Sequence, residues 1–212
     1  MGALDFVRFR GVRMNEASQE KDAIRKMMVE KRRALSPEEV KKASMAVTER
    51  VRALSEWKNA YSVLLYWPIK NEVDTRALLA ELWERGAMAL LPRCRPDQPG
   101  FMDICSCTCE DDLIEGSFNI MEPAPCCLTR EDTGEAFVPD LVLVPAVAFD
   151  ARGYRLGFGG GYYDRLMARP EMDDTVTLGL CYEFQRIESF PMNAWDAPVQ
   201  GICTERELKW FR

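Results

Sequence analysis

Three short apolar runs constrain this chain more than any other feature. "DLVLVPAVAF" at residues 140–149 is the strongest, and "YSVLLYW" (61–67) and "TVTLGLCY" (175–182) accompany it. Each has the length of a strand and falls well short of the roughly 20 apolar residues that a membrane span takes. They are apolar throughout rather than alternating, which predicts strands covered on both faces, as in a parallel sheet between helical layers. Segments with helical spacing lie around them. In "SPEEV" (36–40), Ser36 is placed as an N-cap, Pro37 at the first helical position and Glu39 as the closing residue of a capping box. The helix it opens sets Val40, Ala43, Val47, Val51 and Leu54 on one stripe. A helix over 19–34 turns Ile24, Met27 or Met28, and Leu35 inward; another is capped by Asp74 or Thr75 and stopped by Gly86. "AMALL", ended by Pro92, "FMDICSCT" and "GICTE" are weaker strands. The alternation predicts one α/β domain over 18–212, with a mostly parallel sheet and helices on both faces. Residues 1–17 read as an N-terminal extension or frayed arm.

Composition narrows the chemistry. The chain contains no histidine, so no triad, dyad or metal site built on imidazole is available to it. Its eight cysteines include no C-x-x-C pair, and reduced thiols of a cytoplasmic protein are the expectation. Cys105, Cys107 and Cys109 alternate, so on a strand they would share one face. The net charge of −6 argues against a nucleic-acid partner, and no apolar run suits a membrane. Yet Lys21 to Arg52 holds ten basic residues against five acidic ones. Such a local cationic face fits either a small polyanion or an ordinary solvated helix surface.

The stretch "RLGFGGGYYDRL" (155–166) raises the same choice. It is not a dinucleotide fingerprint, because Tyr162 stands where a glycine is needed, and no Lys-Ser/Thr follows as in a Walker loop. It is either an irregular turn or a backbone cradle for an anion: glycines admit close N–H approach, "YYDRLMA" is a helix start, and Arg155 adds a guanidinium. The loop lies beyond the carboxyl end of the strongest strand, where open α/β sheets bind ligands. Lys21, Arg25 and Arg32 share one helix face and form either a polyphosphate clamp or a surface stripe. Glu72 follows the 61–67 strand, again at a carboxyl end. Asp164, in the first turn after the glycines, either stabilises the helix or, with phosphates present, holds magnesium.

"LVPAVAFDARGYRLGFGGGYYDRLM" (143–167) closely resembles the signature of the 5-formyltetrahydrofolate cyclo-ligases, also called methenyltetrahydrofolate synthetases. "KDAIRKMMVEKRRAL", "YWPIKNEVDT", "LPRCRP" and "TLGLCYEFQRIESFPMNAWDAPVQGICTE" are similar to the family's other motifs, in its order, over about residues 20 to 207. The resemblance implies a single-domain, three-layer Rossmann-like fold and an ATP- and Mg²⁺-dependent closure of 5-formyltetrahydrofolate to 5,10-methenyltetrahydrofolate, releasing ADP and phosphate. Both substrates are small molecules, and a monomer is expected. Carried over by motif, ATP is bound by Lys21, Arg25, Arg155, Leu156, Gly157, Phe158, Gly159, Gly160, Gly161, Tyr162 and Tyr163. Trp67, Glu72, Phe118 and Tyr162 contact the folate, Asp164 and Asp196 hold magnesium, and Lys21, Arg155 and Tyr162 serve catalysis. Two positions depart from the pattern: Trp195 stands where His or Asn is frequent, and Gly160 where some members carry lysine. A relative that binds without turnover, and a sugar-phosphate or acyl-CoA enzyme on a similar layered fold, are the competing readings.

Overall fold

The computed structural model describes residues 3–129, 132 and 138–211, with side chains from residue 16 onward and the Phe118 side chain excepted. Helix α1 (Ala3–Arg33) starts well before the expected residue 19. The stretch read as an extension thus continues its backbone from Ala3; the segment lacks proline, and each residue added to a formed helix gains a hydrogen bond. α2 (Pro37–Ala53) opens on the expected capping box. Ser36 Oγ accepts from the Glu39 N–H at 3.3 Å, and Glu39 Oε2 accepts from the Ser36 N–H at 2.8 Å. A cap of this kind is worth about 1 kcal/mol. Val47 and Val51 carry its stripe into the core.

After the short α3 (Ser55–Asn59) come β1 (Ser62–Leu64), α4 (Arg76–Glu84), β2 (Met88–Cys94) and β3 (Met102–Cys107). A hairpin of β4 (Leu113–Glu115) and β5 (Met121–Pro123) precedes β6 (Leu141–Pro145). The chain then forms β7 (Ala148–Phe149), β8 (Arg155–Leu156), α5 (Tyr162–Met167), β9 (Val176–Leu180), β10 (Gly201–Cys203) and β11 (Leu208–Trp210). The main sheet has seven strands in the order β11-β10-β9-β6-β1-β2-β3. Its inner pairings are parallel, while β3 and β11 close the edges antiparallel.

The period-2 geometry of β6 shows how the apolar run serves two layers. Leu141 and Leu143 join the cluster that α2 and α4 build with Val47, Val51, Leu78 and Leu82. Val142 and Val144 point to the other face, where Tyr163 and Leu166 of α5 pack. α1 closes a third cluster, with Met28 against Val147, Ala148, Leu156 and Phe190. Helices therefore cover both faces of a mostly parallel sheet, as expected. The strand order turns around between β1 and β6: the chain runs from β1 outward to β2, then returns to β6 on the other side. Ligands of open α/β sheets bind at the carboxyl ends flanking such a reversal.

Several local expectations are corrected or narrowed. The run 140–149 is not one strand: it leaves the main sheet after Pro145, and Ala148–Phe149 pair with β8 instead. The carbonyls at the break are taken by side chains, Arg32 Nη1 on Ala146 O at 3.2 Å and Gln185 Nε2 on Ala146 O and Val147 O at 3.0 and 2.9 Å. Pro92 does not end β2. Leu90 O accepts from Leu65 N on the β1 side. Pro92, two residues on, faces that side beyond the last paired residue of β1, where no N–H is needed. Met27 is exposed and Met28 fills the inward position. Of the cysteine row, Cys105 and Cys107 lie on β3 and share its core face as expected, while Cys109 lies beyond the strand and is exposed. Thr75 is the N-cap residue of α4, but its Oγ1 donates to Tyr66 O at 2.6 Å, and it is Asp74 Oδ1 that accepts from Arg76 N at 3.0 Å.

Candidate active site

A cleft of about 660 Å³ opens at the carboxyl ends of β1, β2 and β6. Tyr66 and Trp67 follow β1 into it, Pro92 and Cys94 come from β2, and Pro145, Ala146 and Val147 from β6 and its exit. Lys21 and Arg25 of α1, the glycine loop, Asp164 and Asp196 line it as well. The structure thus gathers residues scattered from 21 to 196 in one place.

The glycine loop leaves β8 at Leu156 and enters α5 at Tyr162. Gly159 (φ +104°) and Gly161 (φ +70°) hold left-handed backbone that a side chain would strain. Among the described residues, none of the backbone N–H groups from Gly157 through Gly161 has a protein acceptor. The loop is held instead through its carbonyls: Arg25 Nε donates to Gly157 O at 2.9 Å and Arg165 Nη1 to Gly160 O at 2.8 Å. Its donors are left for something else. Phe158, half exposed on the cleft wall, lies 4.9 Å from Lys70 Nζ, a cation over its ring.

Charges around the loop are paired with each other. Arg155 Nη2 donates to Asp164 Oδ2 at 2.8 Å, while its guanidinium lies 5.3 Å from the centre of the buried Tyr163 ring. Lys21 Nζ donates to Asp196 Oδ2 at 3.0 Å, and the Asn193 N–H donates to the same oxygen at 2.9 Å. Several buried polar atoms here have no partner: Arg155 Nε, Asp164 Oδ1 and Tyr163 Oη. Unsatisfied buried groups cost about 1–3 kcal/mol each, and all three of these belong to residues that line the cleft.

Arg32 leaves the row it was expected to share with Lys21 and Arg25. It is 1% exposed and donates through Nε to Lys70 O at 2.9 Å, while Nη1 lies 3.4 Å from Glu72 Oε1. The left-handed turn at Lys70 and Asn71 folds back over the end of α1, and Asn71 Nδ2 donates to Arg32 O and Leu35 O. Arg32 therefore supports the floor under Glu72. Burial pushes the Glu72 carboxyl up to about 7, against the opposing pull of Arg32 and the Ile69 N–H.

Trp67, Glu72 and Tyr162 line the same cleft as the glycine loop, and Leu156, Phe158 and Tyr163 are also on its wall. The Phe118 side chain lies outside the described residues. Cleft residues that the sequence did not single out include Lys70, Cys94, Met102, Glu122 and Asn193. Lys70 was signalled by its place just after a strand's carboxyl end; Glu122 sits in a hairpin with no recognisable pattern. No group of three or more Cys, Asp or Glu residues that could hold a metal occurs among the described residues. Asp164 and Asp196 lie apart in the chain and each faces a cation.

Comparison with known proteins points one way. The family model for the 5-formyltetrahydrofolate cyclo-ligase family matches residues 17–205. The 5-formyltetrahydrofolate cyclo-ligase of Mycolicibacterium smegmatis is 34% identical over 193 residues, covering 88% of this chain and 94% of that protein. The Escherichia coli K12 enzyme of the same name is 29% identical over 182 residues, 86% of this chain and 98% of that one. The NMR structure of 5,10-methenyltetrahydrofolate synthetase from Aquifex aeolicus superposes with a TM-score of 0.75 at 36% identity, covering 91% of this chain and 93% of that chain. These likenesses run nearly end to end and include the cleft. The sugar-phosphate and acyl-CoA alternatives are thereby set aside: with its cationic helix, glycine loop and paired carboxylates, the chain belongs to the 5-formyltetrahydrofolate cyclo-ligase family.

Proposed function

We propose that this protein closes 5-formyltetrahydrofolate to 5,10-methenyltetrahydrofolate, consuming ATP with Mg²⁺ and releasing ADP and phosphate. The observation that carries the ATP half is the glycine loop, whose N–H groups from Gly157 to Gly161 have no protein acceptor among the described residues. Beside it stand Lys21, Arg25 and Arg155, three cations on the same cleft.

The chemistry needs no histidine. A formamide oxygen is a poor leaving group. Transfer of the γ-phosphoryl group of ATP to that oxygen makes it a good one. N10 then attacks the formyl carbon, a C–N bond forms, and the C–O bond breaks as phosphate departs with the oxygen and the N10 proton. The attack is intramolecular, so proximity supplies much of the rate. What remains for the protein is to hold the two substrates together and stabilise charge on the transferred group. Lys21, Arg155 and the loop N–H groups serve that end, with Tyr162 placed between the substrates. In the free protein Lys21 and Arg155 are each tied to a carboxylate. When triphosphate binds they turn toward its oxygens, and Asp196 and Asp164 are left to hold magnesium. The buried, unpartnered Asp164 Oδ1 suits this: a hard oxygen donor with no other function in the fold. Bound there, magnesium supplies neutralising charge on the phosphate oxygens.

Trp67 and Glu72 form the folate side, Glu72 accepting from the pterin ring. Both ligands draw their candidate residues from one chain, which supports a monomer. Eight unpaired cysteines, several in the core, support a reducing, cytoplasmic setting. Incubation with 5-formyltetrahydrofolate, ATP and Mg²⁺ tests the proposal through the near-ultraviolet absorbance of the methenyl product. No rise overturns it.

A further inference from the structure

A second buried carboxylate in the cleft has no role in the scheme above. Glu122 lies at the centre of β5 and is 6% exposed, yet it forms part of the cleft wall. Among the described residues no Lys or Arg forms an ion pair with it. A carboxylate taken out of water without a cation is costly unless something else hydrogen-bonds to it. Its protein neighbour is weak: the Cys94 thiol sits against it and also adjoins Tyr162, and burial together with Glu122 pushes that thiol up to about 12. The fold makes deliberate room for the group. A β-carbon at Gly116 would lie 2.5 Å from Glu122 Oε2, so a side chain there would displace the carboxylate from its present place.

A buried acceptor with space reserved for it, facing a cleft and short of donors, is built to meet donors on a ligand. We propose that Glu122 is a substrate-binding residue, its carboxylate accepting a hydrogen bond from an N–H group of the reduced pterin substrate. This rests on the function proposed above and extends it, because Glu122 comes from the β4–β5 hairpin whereas Glu72 comes from the turn after β1. The two acceptors then grip the folate from two separate elements. Tyr162, adjoining Cys94, links this acceptor to the glycine loop and so to the nucleotide.

The test is equilibrium binding of 5-formyltetrahydrofolate without ATP, measured calorimetrically for the wild type, Glu122→Gln and Glu122→Ala, with ATP binding measured alongside. A charge-assisted contact of this kind predicts a folate Kd raised about tenfold or more in Glu122→Ala. Glu122→Gln keeps the shape and one acceptor oxygen, so its loss is smaller, about threefold or more. ATP binding stays within about twofold in both. If Glu122→Ala does not fold, the isosteric Gln variant decides alone. Unchanged folate affinity in the folded variants, alongside a wild type that binds and closes the substrate, overturns this inference and leaves the function standing. A wild type that neither binds nor closes 5-formyltetrahydrofolate overturns the function, and this inference with it.

Discussion

The two ends of the cleft handle charge in opposite ways. Around the glycine loop each carboxylate already holds a cation, Asp164 with Arg155 at 2.8 Å and Asp196 with Lys21 at 3.0 Å. At the other end the carboxylates outnumber their cations. Among the described residues Glu72 forms an ion pair with Arg32 alone, at 3.4 Å and shared with the carbonyls of Lys70 and Ala146, and Glu122 forms none. The proposed function gives this difference a reason. A site for a polyanion must keep several cations from unfolding the cleft by mutual repulsion, and paired carboxylates do this until phosphate replaces them. A site for a ring edged with N–H groups needs bare acceptors, and burial keeps those acceptors poised.

The comparison is tested most severely at Arg155. Arg155→Ala leaves Asp164 mostly buried without its cation, which costs about 3–5 kcal/mol of stability. Under the proposed function it also removes a donor to the transferred phosphoryl group, which lowers kcat by about 10²–10³-fold. Thermal melts and turnover separate the two effects through the double variant Arg155→Ala/Asp164→Asn. Neutralising the orphaned carboxylate restores most of the stability, while activity stays lost because the proposed function uses both side chains. Activity returning with stability would show that the pair only holds the loop.

Lys21→Ala and Arg25→Ala probe the same end from α1. Each loses a charge-assisted phosphate contact worth about 1.5–3 kcal/mol, so KM for ATP rises about ten- to a hundredfold. Folate binding changes little, because neither side chain reaches Glu72 or Glu122. The Arg25 variant should also loosen the glycine loop, since its Nε holds Gly157 O. Equal damage to both substrates would erase the distinction between the two ends.

Much of this arrangement was legible in the residues. The apolar runs marked the parallel strands because a strand buried on both faces has no polar period to hide it. The capping box at Ser36 and the glycine loop are local, and local rules found them. What stayed hidden depends on partners far along the chain. The run through Phe149 carries Pro145 at its break, but its apolar character continues past that residue, and the groups that take the carbonyls beyond it belong to the distant Arg32 and Gln185. Helical spacing put Arg32 beside Lys21 and Arg25. Only the turn at Lys70–Asn71, folded back over α1, makes it a buried support. Glu122 was invisible for the same reason: nothing near it in sequence tells that β5 packs beside β2 with its carboxylate turned to the cleft.

The smallest effect is expected at Glu72, and it bears most directly on the idea that the folate end holds its carboxylates at a cost. In the folded protein this carboxyl titrates at about 7, and in the unfolded chain at its ordinary value of 4.5. Below that lower value both states carry the proton and Glu72 contributes nothing to pH dependence. Between the two values the folded state binds more protons than the unfolded one, so stability falls as pH rises. Above 7 the full cost is present, a few kcal/mol at most. Glu72→Gln removes the ionisation, so its melting temperature should gain on the wild type as pH goes from 5 to 8. Folate reads the same group from the other side. Pterin N–H donors favour the ionised form, so wild-type affinity for 5-formyltetrahydrofolate should rise a few-fold between pH 6 and 8, and Glu72→Gln should lose that slope. If the variant melts in parallel with the wild type across this range, Glu72 is already satisfied by Arg32. Glu122 alone would then distinguish the two ends.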